Sequence, residues 1–207
     1  MEMLLLISLN IFWGVVLVNA VLILRVIRWI RVTNETRVPQ RERAVRPELM
    51  IGASAPEFKA RTLAGQPIRL DNYARRAVVF IFVSPHCESC RREMSTLTKL
   101  GPLAKKNVGV EMILVSCEDS TETQSWLDKI RTEDRVDVTL PVLIAPRGKS
   151  DFLEDYNPSR LFPGFCLLDE QGMVQARGPI PSVEWWKLKR NWEGITRPSS
   201  LMLNQYR

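Results

Sequence analysis

Four consecutive residues near the middle of the chain, Cys87, Glu88, Ser89 and Cys90, have the types and spacing for redox chemistry. Two cysteines separated by two residues can close a disulfide when the second lies about one helical turn beyond the first. The thiolate is the reactive form, and the unpaired amides and dipole of a helix N-terminus stabilise it. A dithiol placed there can attack a disulfide with one sulfur and resolve the mixed disulfide with the other. The spacing becomes specific when a strand precedes it and a helix follows.

Other uses of these residue types are poorly supported. A zinc knuckle needs a second cysteine pair or a Cys/His pair, but Cys117 and Cys166 are isolated and the single histidine, His86, adjoins Cys87. A c-type haem site needs histidine where Arg91 stands. A copper-delivery protein would need a distant histidine ligand, and the sequence has none. No metal is expected, and no cofactor beyond the redox-active disulfide. A structural disulfide without turnover is the remaining alternative for the pair. Cys117 and Cys166 read as small core residues, with a 117–166 disulfide as the alternative. Arg147-Gly148-Lys149-Ser150 ends like a phosphate loop, but the first glycine is missing and no helix is expected after it.

The flanking pattern supplies the expected context. Residues 77–83 (AVVFIFV) form a continuous apolar run, the mark of a strand buried on both faces. Residues 90–104 follow as a helix, with Met94, Leu97, Leu100 and Leu103 at helical spacing. A second buried strand is expected over 110–115. A helix over 122–132 follows, capped by Ser120, and then a short strand over 141–144. Residues 164–169 and 172–178 read as two strands joined at Asp169-Glu170-Gln171-Gly172, and 182–192 as a last helix. The order βαβαβ then ββα predicts an α/β domain with a mixed central sheet flanked by helices.

The chain has 207 residues, four cysteines and a formal net charge of +6, with 45% hydrophobic and 25% charged residues. That composition is globular, and too poor in cysteine for a disulfide scaffold. The charge is local. Residues 25–47 hold seven arginines and two glutamates, and Glu2 adds one negative charge, which leaves +2 for residues 48–207. The high isoelectric point is therefore no argument for nucleic acid. Residues 3–24 carry no charged side chain. As a helix they would span about 33 Å, enough for a bilayer core. The arginines that follow at once, without a basic n-region ahead, favour an uncleaved anchor over a signal peptide. The expected organisation is an anchor over 1–24, a basic linker over 25–47 against lipid headgroups, a domain over 48–195 and a tail over 196–207.

Three stretches carry a family resemblance: Ile51-Gly52-Ala53-Ser54-Ala55-Pro56-Glu57-Phe58, then Leu63-Ala64-Gly65-Gln66-Pro67-Ile68-Arg69-Leu70, then CESCRRE from Cys87. Together they resemble the TlpA/ResA/MauD group of membrane-anchored thioredoxin-like proteins. Phe82-Val83-Ser84-Pro85-His86-Cys87 is most similar to its MauD-type members. The resemblance implies a thioredoxin-like fold and a thiol–disulfide oxidoreductase acting on protein cysteines. It implies that Cys87 attacks, that Cys90 resolves, and that Glu93 is the carboxylate near them. It also implies that Phe162-Pro163 is a cis-proline loop that positions substrate, with His86 beside it. His86 stands where the family commonly has tryptophan, and Ser95 where it commonly has proline. The implied partners are a client thiol or disulfide and a second protein that recycles the pair. A client-specific maturation factor for an exported protein is the alternative. A peroxidase is a further one, with Ser84 in the threonine place of that motif but Phe80 where its proline should be. The acidic Glu88 tilts the expected direction toward reduction. The resemblance puts the redox domain outside the cytoplasm, whereas the arginines after the anchor argue for the inside by the positive-inside rule. The extracytoplasmic side is the expectation.

Overall fold

The computed structural model describes residues 49–195, together with the helical residues Asn19 and Leu22. The expected anchor, basic linker and tail otherwise lie outside the described residues. Among the described residues no helix is long and apolar enough to cross a membrane.

Seven strands form one sheet: β1 (Lys59–Thr62), β2 (Pro67–Arg69), β3 (Val78–Val83), β4 (Glu111–Ser116), β5 (Val142–Ile144), β6 (Gly164–Leu168) and β7 (Val174–Pro179). Their order is β2-β1-β5-β4-β3-β6-β7. β3, β4 and β5 are mutually parallel, and β1, β2, β6 and β7 pair antiparallel to their neighbours. Four α-helices and a 3-10 turn at Leu70–Tyr73 complete the described domain: α1 (Glu88–Val108), α2 (Ser120–Glu133), α3 (Asp151–Tyr156) and α4 (Val183–Trp192). The thioredoxin-like arrangement expected from the sequence is present. The hairpin β1–β2 and helix α3 are additions to the expected elements. All three are short, and β1 and β2 are rich in charge, so neither period stands out in the sequence.

β3 is buried over its whole length because it lies between two layers. Val79, Ile81 and Val83 face one core with α1, α2 and α4, including Met94, Leu97, Trp126, Trp185 and Trp192. Val78, Phe80 and Phe82 face the other, built on Phe58, Phe152 and Tyr156. This alternation is the two-residue period of a strand. In the second core Phe152 stacks on Phe58 with centroids 3.8 Å apart and meets Phe80, Phe82 and Tyr156 edge-on.

α1 continues through Pro102, runs four residues past its expected end at Ala104, and stops at Gly109. Gly109 has φ 72°, a left-handed value that glycine adopts without a Cβ penalty, and its N–H caps the carbonyls of Ala104 and Lys105. The expected cap of the next helix is corrected by one residue. Asp119, not Ser120, accepts from the Glu122 N–H at 2.9 Å, because the cap side chain must reach the amide three residues on. Arg91 ties α1 to the end of α2. Its guanidinium grips both Asp134 oxygens at 2.7 and 2.8 Å and Glu133 at 2.7 Å, which holds the Asp134 carboxyl below the usual carboxylate range.

Candidate active site

β3 delivers the chain to the site at its C-terminal end. A tight turn follows, closed by the Cys87 N–H donating to the Ser84 carbonyl at 3.0 Å. Cys87 is the N-cap of α1, in extended backbone geometry, and its sulfur accepts from the Cys90 N–H at 3.2 Å. That contact comes from a helix-terminal amide with no partner within the helix, and it strengthens as the sulfur gains negative charge. On its other side the Cys87 thiol donates to the Phe162 carbonyl at 3.3 Å. The Phe162–Pro163 peptide bond is cis. The Pro163 carbonyl is taken by the Ile180 N–H at 2.8 Å, which anchors the loop to the start of the α4 segment. A Cβ on Gly164 would lie 2.5 Å from the Leu161 carbonyl oxygen, so only glycine lets the loop turn this tightly into β6.

All four cysteines are free thiols, and only Cys87 is partly exposed. Cys90 is buried on the α1 side of the sheet. Burial pushes its thiol well above the ordinary range, and the hydrogen bond with Cys87 adds to this. The two sulfurs therefore divide into an accessible one and a protected one. Cys117 and Cys166 are buried in the second core, as expected of small core residues, and are not paired with one another. Burial also pushes the Cys166 thiol up, to about 12. Brief treatment of the reduced protein with iodoacetamide at pH 8 should therefore modify Cys87 at least tenfold faster than the other three thiols. Peptide mass spectrometry reads this directly, and comparable labelling of Cys90 would contradict the burial.

The structure thus brings Cys87, Cys90, Phe162 and Pro163 together. His86 is exposed and directs its Nε2 to Glu122 Oε1 at 2.7 Å, on the first turn of α2. Glu93 lies half-buried on α1, and no hydrogen bond links it to either sulfur among the described residues. Ser84 is buried, and its hydroxyl accepts from the His86 N–H at 3.3 Å.

Arg147 has a part at the site that the sequence did not reveal. It donates to Cys117 Sγ at 3.4 Å, pairs with Glu118 at 3.4 Å, and lies 5.3 Å from the centre of the Phe162 ring. It therefore braces the residue whose carbonyl receives the Cys87 thiol. One expectation about its segment needs correction, because a helix does follow Ser150. Ser150 caps the short α3 through the Phe152 N–H at 3.2 Å. The serine is thus a helix cap in a loop without the phosphate-binding glycine.

The AhpC/TSA family model matches residues 51–177, the span that contains both cysteines, the cis-proline loop and all but the end of the sheet. The chain belongs to the AhpC/TSA family. Within reach of this family assignment, the chain is 30% identical over 125 residues to the thiol-disulfide oxidoreductase ResA of Geobacillus kaustophilus, covering 60% of this chain and 67% of the relative. It is 26% identical over 168 residues to the methylamine utilization protein MauD of Methylobacillus flagellatus, covering 80% and 75% of the two chains. These relatives bear out the resemblance to the TlpA/ResA/MauD group. The fold agrees as well. A thiol:disulfide interchange protein from Bacteroides sp. superposes with a TM-score of 0.54 at 18% identity, over 77% of this chain and 98% of that one. In this family setting the partly exposed cysteine at a helix cap, its buried partner and the Phe162 carbonyl ahead of the cis-proline form one unit.

Proposed function

We propose that the protein is a membrane-anchored thiol–disulfide oxidoreductase that exchanges disulfides with protein cysteines through Cys87 and Cys90. The observation that carries this reading is the position of the Cys87 sulfur. It lies between the Cys90 amide at 3.2 Å and the Phe162 carbonyl at 3.3 Å, and it belongs to the only partly exposed thiol. The relatives named as thiol-disulfide oxidoreductases support the same chemistry.

In the reducing direction the Cys87 thiolate attacks a client disulfide. One Cys87–client S–S bond forms, the client's own S–S bond breaks, and the second client sulfur leaves as a thiolate. Cys90 then loses its proton and attacks the Cys87 sulfur. The first client sulfur leaves, and a Cys87–Cys90 disulfide remains. The client has gained two electrons and the protein has lost two, which a second thiol protein restores. Because burial raises the Cys90 thiol, this second step needs a proton acceptor or a rising pH. Glu93, one turn further along α1, is our candidate acceptor. The Phe162 N–H donates to no backbone carbonyl among the described residues, so it is available to pair with an extended client segment, and the Phe162 carbonyl beside it is engaged only by the Cys87 thiol. His86 lines a groove with Cys87.

The anchor over residues 3–24 and the arginine linker over 25–47 would hold the domain at a membrane surface. We place that domain on the extracytoplasmic side, where disulfides persist and need handling. Cys90→Ser should accumulate a mixed disulfide between Cys87 and its client. Recovery of that adduct from membranes on a non-reducing gel would identify the client, and its absence in every growth condition would oppose the reading. The domain's reduction potential decides the direction. A value near about −270 mV indicates a reductant and one near about −120 mV an oxidant. Alkaline-phosphatase activity in fusions after residue 47 would support the orientation, whereas fluorescence of a fluorescent-protein fusion without phosphatase activity would reverse it.

A further inference from the structure

His86, Glu118 and Glu122 come from three separate stretches of chain: the loop before α1, the turn after β4, and the first turn of α2. One ligand atom from each lies within 4.8 Å of the other two. We infer that these three side chains form a binding site for one divalent transition-metal ion, zinc(II) being the ion that suits the donors, and that occupation of the site closes the approach to Cys87. The binding claim stands by itself. The claim about Cys87 rests on the thiol–disulfide reading above.

The donor chemistry fits. One imidazole nitrogen and two carboxylates are ordinary zinc ligands, with bond lengths of about 2.0–2.2 Å. Ligand atoms at such distances around a tetrahedral ion lie about 3.4 Å apart, so small side-chain rotations bring the three donors into place. The two carboxylates offset the charge of a dication, although the Arg147 guanidinium already pairs with Glu118. A fourth position stays open toward solvent, as in zinc sites that exchange ligands.

The surroundings hold the carboxylates in position. The Glu118 carboxylate is held by Arg147 at 3.4 Å, and the Glu118 N–H donates to the Ser116 hydroxyl at 3.4 Å. The Glu122 backbone is fixed by the Asp119 cap at 2.9 Å. Outer contacts of this kind orient ligands and raise affinity. The path to the site is graded, with side-chain exposure of 21% at Glu118, 39% at Glu122 and 69% at His86. An ion enters from the imidazole side and displaces the His86–Glu122 hydrogen bond. His86, Cys87 and Glu122 line one groove with Pro85, Glu88 and Trp126. An ion held at its wall, with its bound water, narrows the groove that opens on the Cys87 sulfur.

The test begins with the full-length chain in detergent carrying Cys87→Ser and Cys90→Ser, which removes both site thiols as zinc ligands. Zinc(II) is titrated in competition with a chromophoric chelator. The expected result is one ion per chain, with affinity at least about tenfold lower after adding His86→Ala or Glu122→Gln. No stoichiometric binding, or equal affinity in those variants, would overturn the site. In the chain with native cysteines, saturating zinc should slow the reaction of Cys87 with a chromogenic aromatic disulfide at least fivefold. Chelation should reverse this, and Glu122→Gln should abolish the zinc effect, measured as a ratio within each variant. Equal slowing in Glu122→Gln would mean direct capture by the thiolate and would refute the regulatory claim. A failure of the oxidoreductase reading is distinguishable, because Cys87 would then not exchange even without zinc, while binding to the serine variant is read separately.

Discussion

Cys87→Ser should lower the rate of thiol–disulfide exchange by on the order of a thousandfold or more, to the level of the uncatalysed reaction. The hydroxyl that replaces the thiol has no accessible anion at neutral pH, so the attacking species is gone. No other thiol can take over, because Cys90, Cys117 and Cys166 are buried. Serine keeps an oxygen that can cap α1, and the position is partly exposed, so the melting temperature should move by no more than about 3 °C. The insulin-reduction rate of the purified protein, read beside a thermal melt, separates lost chemistry from lost fold. Full activity in a correctly folded Cys87→Ser protein would refute the mechanism. Cys90→Ser should behave differently. It should retain the first attack and stall at the mixed disulfide. In the wild type the step that depends on Cys90 should quicken as pH rises, because burial holds that thiol protonated through the neutral range.

Phe152→Ala should destabilise the domain by about 3–5 kcal/mol. The Phe152 side chain is fully buried. It stacks on Phe58 and meets Phe80, Phe82 and Tyr156, so its loss opens a cavity walled by four other rings. These rings sit on β3, α3 and the segment before β1, which cannot close the gap without moving the sheet. For a domain of this size the melting temperature should fall by about 10 °C or more. The rate per folded molecule at 25 °C should stay within about twofold. Cys87 and Cys90 belong to the core on the opposite face of β3, so the cavity does not reach them. A loss below about 3 °C would mean that the aromatic cluster is not what holds α3 and the β1–β2 hairpin to the sheet.

These two expectations draw on parts of the protein that differ in legibility. The cysteine pair could be read at once, because a buried strand, a turn and an amphipathic helix follow in sequence and need only local periodicity to be seen. The cis-proline loop was legible through its family resemblance alone, since nothing in residues 162–163 taken singly separates it from a proline at a strand entry. α3 leaves no mark in the sequence because six residues give fewer than two turns, too few for a helical period to show. Its buried Phe152 carries more stability than its length suggests. The part Arg147 plays at the site is invisible in the sequence for a related reason. Its partners Cys117, Glu118 and Phe162 lie well before and after it in the chain, and no local pattern encodes such a bridge.

The lone histidine shows the boundary most clearly. A single histidine argues against a metal site whose ligands recur at fixed spacing. The structure joins it to two glutamates that lie far along the chain. By itself the sequence determined the α/β order, the fully buried β3, the position of the redox pair at a helix start, and the concentration of charge in residues 25–47. All of these follow from patterns within a few turns or strands of chain. Only the tertiary structure decided which sulfur is exposed, which carbonyl faces it, and which distant side chains share its groove. Burial and close approach arise when parallel strands and their helices pack together, and they are properties of the assembled layers rather than of any one segment.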